Sequence, residues 1–272
     1  MTKEFLAVYA TLLHGFHKPN INPQEVFKRQ YRKDLVKKTN EILDYCKENN
    51  IKVHVTKQEG LPLVLYIKGE ASFKKPIVGF CGPTNIEEST HNKLIGAIKA
   101  YSSLNATLIS GNLGTSETAV HKTNPNSYTL LYDGSFENHK NAISEFPPNT
   151  SAKKEYFDYK NELLARLCDI VVMSEYKEKS RSNNIIKYAE MFNKQIIYLQ
   201  KNEVFNLPPL KINLHSNAYK VYNTFTDFQM DFDVLLALTD FSEEELTTAL
   251  FELQLKGVVK PAPMNRYIIV KE

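Results

Sequence analysis

Residues 142–168 read AISEFPPNTSAKKEYFDYKNELLARLC, and they predict a strand, a stop and a helix in succession. Ala142 to Ser144 can end a strand, while Pro147 and Pro148 prevent its continuation because proline has no backbone N–H for a sheet. An amphipathic helical pattern follows, with cations at Lys153, Lys154 and Lys160. Because cations near the carboxyl end of a strand suit a phosphate ligand, the stretch predicts an anion-binding face.

Strands and helices alternate on both sides of this stretch. Helical patterns over 87–101 and 183–192 separate short apolar runs that are typical of buried strands. These runs are Ile77–Cys81, Thr107–Ile109, Tyr128–Tyr132, Ile170–Met173 and Gln195–Leu199. Such a succession indicates βαβ units. We therefore predict an α/β fold with a Rossmann-like doubly wound parallel sheet, which binds ligands at the carboxyl ends of its strands.

The chain divides into four predicted regions. Residues 1–75 form an N-terminal helical segment with a β lead-in, and residues 76–205 form the Rossmann-like core. Pro208 and Pro209 indicate a linker over 206–218. Residues 219–272 give helices around 221–225 and 232–239, a longer helix that begins at the Ser242 cap, and a β hairpin. This order predicts a C-terminal winged-helix domain.

Composition limits the class of protein. The net charge of +3 is uneven, because residues 219–272 carry five basic and nine acidic residues, which leaves +7 on residues 1–218. The three cysteines show no CxxC spacing and the histidines no zinc-binding motif, so we predict no disulfide framework and no metal. No apolar run reaches 18 residues. We expect a soluble cytoplasmic protein without a membrane contact.

Two turns rich in small residues follow the first two predicted core strands. Gly82-Pro83-Thr84-Asn85 and Ser110-Gly111 could bring backbone amides to a phosphate at a helix N-terminus. Neither turn is a dinucleotide or P-loop motif, and an ordinary turn or helix cap remains an alternative. His121 has no serine or cysteine partner at a motif spacing, so we predict no catalytic residue.

Cations and aromatic residues interleave between residues 153 and 188. Cations follow a phosphate backbone and aromatic rings stack on unpaired bases, so this mixture suits single-stranded nucleic acid. A solvated basic face over core aromatic residues is the open alternative. The cations are Lys153, Lys154, Lys160, Lys177, Lys179, Arg181 and Lys187, and the aromatic residues are Tyr156, Phe157, Tyr159 and Tyr176.

The ordered motifs resemble those of the DNA-processing protein A family (DprA, also called Smf). LPLVLYIKG at 61–69 is similar to the family's approach to its Rossmann domain. SGNLGTSETAVH at 110–121 resembles the family's SGxAxGIDxxAH at Ser110, Gly111 and His121. Residues 144–148 are similar to its SEYPPG element, and residues 219–272 resemble its winged helix.

Further matches and three departures lie in the basic region and at the first core turn. Residues 157–168 resemble the family's F-P-x-R-N-R-I-I-A-G-L-S, in which Phe157 and Asn161 are retained and Glu162 replaces an arginine. Residues 180–182 resemble its S-G-S element, with Arg181 at the glycine position. Gly82-Pro83-Thr84 stands where the family has G-S-R, so an arginine that contacts DNA is missing.

The resemblance implies a non-catalytic protein that binds and protects single-stranded DNA. It also implies a homodimer, no cofactor, and help in loading a RecA-type recombinase during DNA uptake or recombination. The candidate nucleic-acid-binding residues are Gly82, Thr84, Ser110, Gly111, Lys153, Lys154, Phe157, Lys160, Asn161, Ser180, Arg181 and Ser182. The acidic helix SEEELTTALFELQLK argues against a groove-binding role for the winged helix and favours protein docking.

Two alternatives stay open. Gly111, Gly114, Thr115 and Glu117 partly match the G-G-x-G-T-x-x-E element of nucleoside-monophosphate phosphoribohydrolases, which would make the chain a nucleotide-binding enzyme. The position of this element, after the second core strand and without a preceding proline, argues against that reading. The second alternative is a decayed family member that retains only protein contacts.

Overall fold

The computed structural model describes residues 1–17, 21–57, 60–70, 73–177, 180–199, 213–225 and 229–270. Three helices come first, and local capping explains where two of them begin. The Thr2 hydroxyl accepts a hydrogen bond from the Phe5 N–H, and Asn22 caps the second helix just before Pro23. The helices are α1 (Lys3–His14), α2 (Pro23–Arg29) and α3 (Lys33–Glu48).

An eight-stranded sheet forms the centre of the molecule, in the order β1-β2-β6-β5-β4-β3-β7-β8. Strands β3 to β8 are mutually parallel, whereas β1 and β2 form an antiparallel hairpin that extends the sheet beyond β6. The predicted α/β fold with a Rossmann-like, largely parallel sheet is confirmed. The strands are β1 (Ile51–Val55), β2 (Val64–Lys68), β3 (Ile77–Cys81), β4 (Thr107–Ser110), β5 (Tyr128–Leu130), β6 (Ala142–Ser144), β7 (Ile170–Met173) and β8 (Gln195–Tyr198).

Helices cover both faces of the sheet. Val78 and Phe80 of β3 face one apolar core, which they share with the helices at 88–103 and 114–123. Cys81 faces a second core, which it shares with the helices at 156–167 and 183–191. Gly79 permits a close approach, because a Cβ at this position would lie 2.6 Å from the Cys168 Sγ. The four helices are α4 (Glu88–Ser103), α5 (Gly114–Thr123), α6 (Tyr156–Leu167) and α7 (Asn183–Met191).

The C-terminal region contains three helices and a three-stranded antiparallel sheet in the order β10-β11-β9. The predicted capping box of Ser242 and Glu245 and the predicted hairpin are confirmed. The elements are α8 (Ser216–Thr224), β9 (Gln229–Asp231), α9 (Phe232–Thr239), α10 (Glu243–Leu255), β10 (Val259–Ala262) and β11 (Arg266–Ile269). The winged-helix assignment and the four domain boundaries stay predictions. Helix α8 begins inside the predicted linker 206–218, whose residues 206–212 lie outside the described residues.

The C-terminal region shares its core with the Rossmann-like region. Helix α9 packs so closely on α4 that a Cβ on Gly96 would lie 2.9 Å from the Ala237 carbonyl oxygen. Buried side chains of β3 and α4 belong to the same apolar cluster as those of α8, α9 and α10. Asp231 adds polar contacts, since it accepts hydrogen bonds at 3.0 Å from both Arg266 and Gln195.

None of the helices in the described ranges is long and apolar enough to cross a membrane.

Candidate nucleic-acid interface

A cleft of about 740 Å³ opens at the carboxyl ends of β3 and β7. These neighbouring strands carry their following helices on opposite faces of the sheet, which is the place where an open α/β sheet binds ligands. The walls come from the loop after β3, the start of α5, helix α6 and the loop after β7. The residues that line the cleft are Gly82, Pro83, Thr84, Asn85, Leu113, Gly114, Glu117, Phe157, Lys160, Asn161, Lys177, Ser180, Arg181, Ser182 and Ile185.

Eight of the twelve candidate residues line this cleft: Gly82, Thr84, Phe157, Lys160, Asn161, Ser180, Arg181 and Ser182. The other four do not. Ser110 and Gly111 are buried, and the Ser110 hydroxyl donates to the Phe80 carbonyl oxygen at 2.9 Å. Lys153 and Lys154 are exposed just before α6, and the Lys153 ammonium lies 5.5 Å from the centre of the Tyr156 ring. A contact between these twelve residues and nucleic acid stays a prediction.

The two glycine turns bind each other and form one wall of the cleft. The Thr115 N–H donates to the Thr84 carbonyl oxygen at 2.7 Å, and the Ser116 hydroxyl donates to the Pro83 carbonyl oxygen at 2.9 Å. A Cβ on Gly82 would lie 1.9 Å from the Ser174 hydroxyl oxygen, so a larger residue there would have to displace that side chain. The sequence left open whether each turn contacts a phosphate or is an ordinary turn or helix cap. The structure joins the two turns by these hydrogen bonds and leaves Thr84 and Asn85 exposed.

A buried ion pair lies at the base of the cleft. The Lys160 ammonium is 3.1 Å from a Glu117 carboxylate oxygen, and both side chains are about 5% exposed (4% and 6%). The second Glu117 oxygen accepts a hydrogen bond from the Leu113 N–H at 2.7 Å. A direct phosphate contact by Lys160 would therefore compete with Glu117. No local sequence pattern connects these two residues, which are 43 positions apart.

Phe157 contacts both an aromatic ring and a cation. The Tyr132 ring stacks on it at a centroid distance of 4.1 Å, and the Arg181 guanidinium carbon lies 5.8 Å from the centre of its ring. The Asn161 side-chain amide donates to the Arg181 carbonyl oxygen at 3.4 Å and so connects α6 with the start of α7. Tyr132 is not among the predicted site residues, and its only signal in the sequence is its place at the end of a predicted strand.

Lys177 connects the two loops at the mouth of the cleft. Its ammonium donates to the Asn85 carbonyl oxygen at 2.7 Å and lies 3.0 Å from the Glu175 carboxylate, while its side chain remains 47% exposed. Lys177 belonged to the basic set in the sequence but not to the candidate site. With Arg181, it gives the mouth two exposed cations. Lys179 lies outside the described residues.

Glu162, the acidic residue at a family arginine position, does not line the cleft. Its carboxylate accepts hydrogen bonds from Arg166 at 2.7 and 2.9 Å and contacts the His17 ring at 3.0 Å. Burial alone would raise the pKa of Glu162, but these hydrogen bonds outweigh burial and lower it. Its negative charge is thus neutralised within the protein and adds little repulsion at the cleft.

Reactive side chains near the cleft are engaged elsewhere. The His121 Nε2 lies 2.7 Å from the Gly111 carbonyl oxygen and its Nδ1 lies 2.9 Å from the Ser127 hydroxyl, and burial lowers the pKa of this histidine. Burial raises the pKa of Cys81 and Cys168, which disfavours the nucleophilic thiolate. The described residues contain no group of three or more His, Cys, Asp or Glu side chains suited to a metal ion.

Comparisons with known proteins find a similar family and similar solved structures. The family model of DNA recombination-mediator protein A matches residues 112–212. A structure of DNA processing protein A from Helicobacter pylori, solved to study its single-stranded DNA binding mode, is 16% identical. The match covers 57% of this chain and 81% of that one, with a TM-score of 0.50, and such a likeness shows the fold.

A structure of DprA from Streptococcus pneumoniae is 13% identical over 75% of this chain and 83% of that one, with a TM-score of 0.49. No curated protein sequence matches the chain. The matched segment contains the starts of α5, α6 and α7, which build most of the cleft. Residues 112–212 are therefore similar to the DNA recombination-mediator protein A family, the family whose motifs the sequence resembles.

Proposed function

We propose that the chain binds single-stranded DNA in the cleft at the carboxyl ends of β3 and β7, as a non-catalytic protein. One observation carries this proposal: a single open cleft brings together the exposed cations Lys177 and Arg181 and the aromatic ring of Phe157. Cations of this kind bind the phosphate backbone of a single strand, and an aromatic ring stacks on an unpaired base. The family match and the DNA-binding relative from Helicobacter pylori support the same function.

Arg181 takes over the role of the missing arginine in this proposal. The turn after β3 offers only Thr84 where the family has an arginine, whereas Arg181 enters the same cleft from the turn just before α7. Its guanidinium lies over Phe157, so a base that stacks on this ring displaces the guanidinium towards the adjacent phosphate. The hydroxyls of Ser180 and Ser182 flank Arg181 and can donate to the same phosphate.

The wider role follows from the family and remains part of the proposal. We infer that the chain acts in the cytoplasm as a homodimer and helps to load a RecA-type recombinase onto the bound strand during DNA uptake or recombination. Four glutamates on α10 make that helix a poor match for DNA and a better match for a protein partner.

Replacing Arg181 with alanine is expected to weaken single-stranded DNA binding and to reduce its salt dependence. Loss of one phosphate contact lowers the slope of log affinity against log salt concentration by about 0.7. Fluorescence anisotropy of a labelled oligonucleotide across a salt series measures both quantities. Lys187→Ala is the matched control, because Lys187 is exposed on α7, the helix that follows Arg181, and does not line the cleft. Absence of binding at low salt, or a salt-independent signal, would refute DNA binding.

Removing negative charge from α10 is expected to leave DNA affinity nearly unchanged. Glu243 and Glu244 are exposed in the first turn of α10 and do not line the cleft. The double substitution Glu243→Gln and Glu244→Gln should change the dissociation constant by less than about twofold at physiological ionic strength, because exposed distant charges are screened. A tenfold gain would show that α10 lies beside the DNA. Deletion of the C-terminal region is a poorer test, since it would expose the core shared with α4.

The enzyme alternative has one feature in its favour, since Glu117 lines the cleft. Both of its carboxylate oxygens, however, are held by Lys160 and the Leu113 N–H. Release of a free base from AMP would revive this alternative. Retained dimerisation or recombinase binding without DNA binding would favour the decayed family member.

A further inference from the structure

His17 connects the N-terminal segment to the residue after β6 and to helix α6. The exposed Lys153 and Lys154 lie in the loop between these two elements. Its Nδ1 lies 2.8 Å from a Glu145 carboxylate oxygen, just after β6, and its Nε2 lies 3.0 Å from a Glu162 oxygen on α6. The imidazole also stacks on the Tyr159 ring, with centroids 4.2 Å apart and planes 7° apart. One ring thus contacts two carboxylates and an aromatic face.

The two short contacts require an additional proton. A neutral imidazole has one N–H, and an ionised carboxylate only accepts, so two hydrogen bonds need two protons among His17, Glu145 and Glu162. The environment of Glu145 makes a nearby positive charge more important. Its side chain is 1% exposed, and its Oε1 has no hydrogen-bond partner among the described residues. A buried carboxylate with no other cation in contact is costly to ionise. Burial raises the pKa of Glu145, and the hydrogen bond and charge of protonated His17 oppose that rise.

We propose that His17 is a positioning residue for the nucleic-acid cleft: its imidazolium holds α6 against the segment after β6 and so fixes the side chains that α6 presents to the cleft. This inference rests on the proposed function. Two faces of helix α6 make different contacts. Glu162 and Tyr159 contact His17, while Phe157, Lys160 and Asn161 line the cleft. A shift of α6 towards or away from His17 therefore moves all three cleft residues.

The segment after β6 is tied to the same contact. Phe16 packs edge-on against Phe146, and Phe146 stacks on Tyr156 at the start of α6 with ring centroids 4.0 Å apart. The N-terminal segment thus fastens both the residue after Glu145 and the first turn of α6. Neither contact involves a residue of the cleft, so removing His17 tests positioning without removing a DNA contact.

The groups around His17 set the direction of its pH dependence. Burial alone would lower the pKa of His17, but the hydrogen bonds and charges of Glu145 and Glu162 outweigh burial and raise it above 6.5. Tyr159 and Arg166 are the other titratable side chains at this contact, and Arg166 neutralises Glu162. A histidine whose pKa is raised by folding stabilises the folded state fully when the pH is below its pKa in the unfolded chain. This stabilisation is lost as the pH rises through its pKa in the folded protein. The contact should therefore loosen at alkaline pH.

Three variants test this proposal at constant ionic strength. His17→Gln removes the titrating group, Glu145→Gln keeps its shape and removes the buried charge, and His54→Gln repeats the first substitution at an exposed histidine of β1. The measurements are oligonucleotide affinity from about pH 6 to pH 9, NMR titration of the histidine ring protons, and hydrogen exchange of the α6 amides relative to the His54→Gln control.

We expect wild-type affinity to fall roughly fivefold as the pH passes the His17 pKa, and His17→Gln to show the weaker affinity throughout. Glu145→Gln should move the midpoint to lower pH, because it removes the main anion beside His17. Exchange of the α6 amides should accelerate in parallel. The proposal would be overturned if NMR gave His17 the pKa of an unperturbed histidine. It would also be overturned if DNA affinity depended on pH in the same way in wild type and in His17→Gln. If wild type binds no DNA, the proposed function fails, while the titration and the exchange data still decide whether His17 positions α6.

Discussion

Lys160→Ala is expected to lower the free energy of unfolding by about 3–5 kcal/mol, because it leaves Glu117 buried without its cation. Urea denaturation followed by circular dichroism measures the loss. Lys154→Ala is the matched control, since Lys154 lies exposed shortly before the same helix. That substitution should change the stability by less than about 0.5 kcal/mol.

A double variant separates charge from packing at this position. Lys160→Met with Glu117→Gln removes both charges, keeps similar volumes and retains an acceptor for the Leu113 N–H, so it should recover most of the lost stability. If Lys160→Ala is as stable as wild type, the ion pair is not buried as the structure shows it. DNA binding is best tested in the double variant, because weak binding by Lys160→Ala could come from unfolding alone.

Gly114→Ala is expected to destabilise the protein by about 2–5 kcal/mol, the sum of backbone strain and overpacking. Gly114 has φ +85°, a conformation that disfavours any side chain. A Cβ there would also lie 2.5 Å from the Thr84 Cα and 2.9 Å from the Thr84 carbonyl oxygen. The mutation should therefore push apart the two turns that form one wall of the cleft. Thermal and urea unfolding measure the change.

Gly257→Ala separates the two contributions. Gly257 has φ +70°, and a Cβ there would meet nothing within 4 Å, so this substitution carries the backbone strain without the collision. It should cost only about 1–2 kcal/mol. Equal losses for the two variants would show that the turns after β3 and β4 do not touch as closely as the structure indicates.

The strands and helices of the core were predictable because each carries its signal locally. The apolar runs at Ile77–Cys81 and Ile170–Met173 became β3 and β7 with unchanged bounds. Strand β6 ends at Ser144, before the two prolines at 147 and 148, and the amphipathic pattern after Lys154 became α6. Since the carboxyl ends of parallel strands share one edge of a sheet, the ligand-binding edge followed from the same pattern.

The pairings within the site were not predictable from the sequence. Lys160 reads as one more cation of a basic stretch, and only the folded chain, which brings α6 and the first turn of α5 together at the cleft, shows that its charge is matched by Glu117. His17 and Glu145 contact each other across 128 residues, and neither belongs to a motif that names the other. Side-chain partners of this kind depend on how helices pack on a sheet, which local periodicity does not specify.

The close packing of α9 on α4 has a thermodynamic consequence for the whole chain. Helix α4 begins three residues after Asn85, which lines the cleft. Buried side chains of α4 share an apolar core with those of α8, α9 and α10. Neither region can lose its structure without exposing apolar surface of the other, so the two should melt as one cooperative unit. Binding energy gained in the cleft would then protect the distant C-terminal hairpin from unfolding as effectively as it protects the site itself.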